Sequence, residues 1–114
     1  MGKEENGQLP LDIYRDKDKL IIIAPAAGVS IDDLSVTVTD DVLKIEGARE
    51  FEKTIEEENY FSQECFWGKF TRSVVLPVEV DTKKIEASFK NGVLKITAPI
   101  TEEEKTKIVK IITE

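Results

Sequence analysis

The dipeptide Asn91-Gly92 does most to narrow the folds open to this chain. Both residues tolerate positive φ, as a type I′ turn requires. They sit between Ile85, Ala87 and Phe89, apolar at every second position, and the apolar-rich run at residues 93–98. That arrangement predicts two antiparallel strands joined by a tight turn, and similar signals recur along the chain. Leu9, Leu11 and Ile13 alternate with Pro10, Asp12 and Tyr14, predicting a first strand that ends near Arg15. After the turn Asp16-Lys17-Asp18-Lys19, residues 20–24 contain three consecutive isoleucines and are bounded by Pro25 and Gly28, a second strand apolar on both faces. Leu34, Val36 and Val38 alternate with Ser35, Thr37 and Thr39. Beyond Asp40-Asp41, Leu43 and Ile45 continue the alternation to Gly47, which predicts another hairpin.

The connections carry their own chemistry. Ser30-Ile31-Asp32-Asp33-Leu34 reads as one helical turn capped by Ser30, too short to stand as a helix. Val80-Asp81-Thr82-Lys83-Lys84 reads as a capped turn, and residues 70–76 as a strand stopped by Pro77. Val-Leu-Lys-Ile occurs at 42–45 and again at 93–96, each time after a turn, but nothing around it repeats; these are two similar hairpins, not a solenoid. With 114 residues there is room for one modest core. The expectation is therefore a single all-β sandwich of short antiparallel strands.

Several function classes are disfavoured by composition. Sixteen basic against 23 acidic residues, a net charge of −7, repel phosphate backbones and anionic lipid, so neither nucleic acid nor membrane is an expected partner. There is no histidine, which removes the usual general base and the commonest metal ligand. The six glycines are scattered one per turn and build no phosphate loop. Glu56-Glu57-Glu58 and Glu102-Glu103-Glu104 lack the spacing of a calcium loop and read as solvated surface. No enzyme activity, metal or cofactor is expected. No apolar run approaches the roughly 20 residues of a membrane span. The opening residues lack the apolar core of a secretory signal, and the lone Cys65 closes no intrachain disulfide, which together favour the cytoplasm.

Three segments do not fit a plain sandwich. Residues 50–58 are acid-rich without a steady apolar period and read as an exposed loop. Tyr60-Phe61-Ser62-Gln63-Glu64-Cys65 mixes aromatic with polar side chains, as an edge or exchanged strand does; Phe70 belongs to the core, whereas Tyr60, Phe61, Phe66 and Trp67 divide between core and subunit contact. Residues 1–8 read as disordered and 101–114 as a tail, in which a polar tether leads to an apolar knot of Ile108, Val109, Ile111 and Ile112 that calls for a groove.

Taken together, Asp12-Ile13-Tyr14-Arg15, Ala24-Pro25-Ala26-Ala27-Gly28-Val29, Val42-Leu43-Lys44-Ile45-Glu46-Gly47, Trp67-Gly68-Lys69-Phe70-Thr71-Arg72 with Leu76-Pro77, and above all Ala87-Ser88-Phe89-Lys90-Asn91-Gly92-Val93-Leu94 resemble the α-crystallin domain of small heat-shock proteins of the bacterial, archaeal and plant type. The likeness covers residues 9–100. It implies an immunoglobulin-like sandwich of seven or eight strands and an ATP-independent holdase that binds partly unfolded client proteins. It also implies a homodimer made by exchanging residues 60–65. Val109-Lys110-Ile111 matches the family's Ile-x-Ile tail motif, whose accepting groove would be lined here by Leu34, Val36, Val38, Ile85, Ala87 and Phe89. Two departures stand out: Ala26-Ala27-Gly28-Val29 replaces the common Leu-Pro-Gly-Val, and about eight residues precede the domain where relatives carry a longer apolar arm. A dimer that associates further through its tails into a higher homo-oligomer is the resulting expectation. The alternative is a co-chaperone or adaptor sandwich of the related CS type, which contacts a folded partner.

Overall fold

A computed structural model describes residues 9–104 and 109–114. Residues 1–8, read above as disordered, and 105–108 of the tail lie outside the described residues. Eight strands run in chain order: β1 (Asp12–Asp16), β2 (Lys19–Pro25), β3 (Ser35–Thr39), β4 (Val42–Arg49), β5 (Gly68–Val75), β6 (Val78–Val80), β7 (Glu86–Lys90) and β8 (Val93–Glu104). They form two antiparallel sheets. The larger has the order β1-β2-β8-β6 with β7 also on β8, and the smaller has the order β3-β4-β5. No α-helix occurs among the described residues, only single 3-10 turns at Ile31–Asp33, Glu57–Asn59 and Thr82–Lys84.

The alternation read from the sequence becomes the core. Leu20, Ile22 and Ala24 of β2 pair with Ala98, Ile96 and Leu94 of β8, and all six are buried. From the other sheet Leu43 and Ile45 complete the packing, and Ile22, Leu43, Ile45 and Ile96 are its largest fully buried side chains. Among the described residues no polar or charged residue is buried, so the space between the sheets is filled by apolar side chains. The intervening β2 residue Ile21, across from Tyr14 and Thr97, is only 5% exposed. The central strand is thus shielded on both faces, as its unbroken apolar run predicts.

Turn chemistry holds at each predicted point. Asn91 and Gly92 have φ of 55° and 77°, as a type I′ turn demands. Ser30 Oγ accepts from the Asp32 N–H at 3.2 Å, and Asp81 Oδ1 from the Lys83 N–H at 3.1 Å. Three features differ from the reading of the sequence. The first strand starts at Asp12 and not at Leu9, because Leu9 turns into the core and its carbonyl accepts from Arg72 Nη1 at 3.0 Å, tying this segment to the opposite sheet. A short strand, β6, follows Pro77 and pairs with the far end of β8, Val80 with Ile100 and Val78 with Glu104, across an irregular step. That pairing carries β8 to Glu104, beyond the residue 100 at which the alternation fades.

Candidate binding edges and tail

Each sheet ends in strands with a single partner. Among the described residues β3 pairs only with β4 and β7 only with β8. On β3, Val36 and Val38 are half-buried against the core, as is Leu34 just before it; Ile85 and Phe89 are likewise half-buried on β7, while Ala87 is exposed. The six residues assigned to a groove therefore occupy two unpaired edges belonging to different sheets. An edge strand with free N–H and C=O groups and a partly open apolar row is suited to receive an extended peptide.

The hairpin that carries the signature is held from outside. The Ala26 N–H donates to the Gly92 carbonyl at 2.6 Å, and a Cβ on Gly92 would meet Ala27 Cα at 3.3 Å. Arg49 Nε donates to the Ala27 carbonyl at 2.7 Å while its guanidinium stands 5.7 Å from the centre of the Phe70 ring. Asn91 and Gly92 thus seat the β7–β8 turn on the chain leaving β2, and Leu94, behind the turn, is buried while Val93 is exposed. The sequence reading missed Arg49; only its place directly after the alternation of β4 marks it out.

Residues 60–65 form no strand within this chain. Tyr60 is half-buried, Phe61 is fully exposed, and Ser62, Gln63, Glu64 and Cys65 are exposed, with one local contact from Ser62 Oγ to Glu64 Oε2 at 3.4 Å. Beside them Phe51 and Trp67 pack at 5.0 Å between ring centres, both open to solvent. At the opposite edge of the larger sheet β1 pairs only with β2. In the tail Val109 is 75% and Ile111 91% exposed. No described helix is long and apolar enough to cross a membrane.

These edges belong to a recognised domain class. Residues 12–113 match the model of the Hsp20/alpha crystallin family, and the chain belongs to that family. It is 32% identical to small heat shock protein C4 of Rickettsia felis over 88% of this chain and 61% of that one. It is 35% identical to spore protein SP21 of Stigmatella aurantiaca over 88% and 59%. The chain thus spans about three fifths of the length of these curated relatives. Among solved structures, heat shock protein 16.0 of Schizosaccharomyces pombe superposes with a TM-score of 0.78 at 30% identity, covering 95% of this chain and 77% of that one. A small heat-shock protein of Xylella fastidiosa, whose structure is described as having a distinct high order, does so with a TM-score of 0.76 at 25% identity, covering 96% and 100%.

Proposed function

We propose that this domain serves an ATP-independent holdase, which binds partly unfolded proteins and keeps them from aggregating. The observation that carries the reading is the pair of unpaired edges, β3 and β7, whose apolar rows are only half covered in a chain that leaves Phe61, Val109 and Ile111 in water. Extended segments of a misfolded chain satisfy such edges by the same backbone pairing that builds a sheet. When no client is present, segments of sister molecules fill them.

In the resting assembly, residues 60–65 cross to a second copy and add to the free side of its β1. The tail places Val109 and Ile111, two residues apart and therefore on one side of an extended segment, between β3 and β7 of another dimer. A CS-type adaptor that meets a folded partner has no use for an unpaired aromatic segment followed by an apolar tail. Light scattering from a heat-denatured client without ATP tests the activity: suppression at equimolar chain is expected, and undiminished scattering at higher ratios refutes it. Deleting residues 60–65 is expected to yield monomers. Replacing Val109 and Ile111 together with Ala is expected to remove the larger species from a mass measurement, and an unchanged mass distribution refutes tail docking.

A further inference from the structure

A segment that pairs with a second copy has to leave its own domain in a set direction, and the place where the loop containing residues 60–65 leaves is built for this. The β4–β5 ladder ends at the pair Arg49 and Gly68. Residues 50–67 then run outside every strand. Gly68 has φ of 136°, a backbone conformation that glycine adopts without penalty, and Phe66 folds back at this bend with its Cζ 3.4 Å from where a Cβ on Gly68 would lie. Across the neck Phe51 meets Trp67, with ring centres 5.0 Å apart and ring planes inclined at 36°. Phe51 lies just past the last ladder residue of β4, and Trp67 just before the first of β5. A side-chain contact thus joins the two ends of the loop where backbone pairing has stopped.

Beyond that neck the loop holds only to itself. Among the described residues the hydrogen bonds of residues 52–66 are all local: the Asn59 N–H donates to the Glu56 carbonyl at 2.9 Å, the Tyr60 N–H to the Glu57 carbonyl at 3.2 Å, and Ser62 Oγ reaches Glu64 Oε2. None ties the segment to either sheet. Phe61 is fully exposed and residues 62–65 are open beside it, although β1, β3 and β7 of the same chain each have a free side among the described residues. A segment tethered to its own domain meets such edges at high effective concentration, so it pairs with one of them unless its exit is directed elsewhere.

We infer that the Phe51–Trp67 pair is a clamp that holds the loop clear of its own sheets and so presents residues 60–65 to a second copy. Both are positioning residues for the exchange. The inference rests on the strand-exchange reading above and names what prepares the strand for it. Both rings are open to solvent and Phe51 lies outside every strand, so the pair contributes little to the sandwich itself. What it sets is the population of loop conformations. The affinity of a segment whose competent conformation is only partly populated falls with that population. A packed ring pair biases such an equilibrium roughly two- to tenfold, and a symmetric dimer has two necks, so loss of the clamp raises the dissociation constant of the dimer roughly four- to hundredfold.

Sedimentation equilibrium on the full chain, carrying Val109→Ala and Ile111→Ala so that only the dimer is read, measures that constant. Phe51→Ala and Trp67→Ala are each expected to raise it by the stated factor. Phe51→Tyr, which keeps a ring in place, is expected to stay within about twofold of the parent, a rescue that a general loosening of the domain would not give. The two alanine changes together should weaken the dimer no further than either alone, because one contact is lost in each case. An unchanged constant for Phe51→Ala, failure of Phe51→Tyr to restore it, or multiplying effects in the double variant overturns the clamp. Deleting residues 60–65 separates the two readings. If the deleted chain still dimerises, exchange itself is refuted and the clamp with it; if it is monomeric while Phe51→Ala dimerises like the parent, only the clamp falls.

Discussion

Gly47 is the position where one methyl group should cost most for its size. It faces Phe70 in the β4–β5 ladder, and a Cβ built on it would lie 2.5 Å from Phe70 Cζ and 3.0 Å from Cε1. Carbon atoms in contact sit about 3.5–4.0 Å apart, so the ring must move by about 1 Å. It has little freedom to do so: Phe70 is 2% exposed and lies beneath the Arg49 guanidinium. Gly47 is not among the residues with positive φ, so Gly47→Ala carries no backbone penalty and its cost is overpacking. We expect a loss of about 2 kcal/mol, taken from the usual range for overfilled cores less the modest preference of strands for Ala over Gly. For a domain of this size that lowers Tm by about 8–16 °C. Phe70→Leu removes the clashing atoms and costs about 1.5 kcal/mol on its own as lost packing. Combined, the two changes should destabilise by at least about 1 kcal/mol less than their sum. Urea melts at fixed chain concentration, followed by the fluorescence of the single Trp67, measure all three variants. Additive losses, or a Gly47→Ala midpoint equal to that of the parent, refute the steric account.

Three further outcomes follow from the same contacts. Gly92→Ala, at φ of 77° and with Ala27 Cα 3.3 Å from the new methyl, should lose about 1–2 kcal/mol, whereas Asn91→Gly should leave the melting midpoint within about 0.5 kcal/mol; equal effects from the two would count against the turn geometry. Ile96→Ala, at a fully buried site in β8, should cost about 2–5 kcal/mol, and a loss below about 1 kcal/mol would show that the sheets close over the space. Arg72→Met removes the donor held by the Leu9 carbonyl; about 1 kcal/mol should be lost, with faster amide exchange at residues 11–13, and unchanged exchange would mean that the buried Leu9 side chain alone anchors the segment.

Much of this architecture was legible because it rests on local rules. Asn91-Gly92 allows one tight turn, Ser30 and Asp81 cap single turns, and the alternations around Val36, Leu43 and Ile96 place each side chain on a face. What escaped depends on partners distant in sequence. Arg72 points inward on an edge strand and ties down Leu9, which nothing near either residue announces. The three residues of β6 are too few to display a period, and residues 101–104 are polar yet join a strand because Val78 and Val80 present them with an edge. The unpaired edges were readable only in part. The apolar rows on β3 and β7 follow from alternation, but their lack of second partners is a property of strand order.

One strand links the whole larger sheet. β8 pairs with β2 along residues 93–99, with β7 along 93–97, and with β6 at Ile100 and Glu104. It is also the last strand among the described residues. Until the ribosome has released residue 104, β6 and β7 have nothing to zip onto and β2 has only β1, so the larger sheet of the nascent domain must wait incomplete. Contacts of such long sequence separation form slowly, and during every round of synthesis this protein passes through an exposed state of its own.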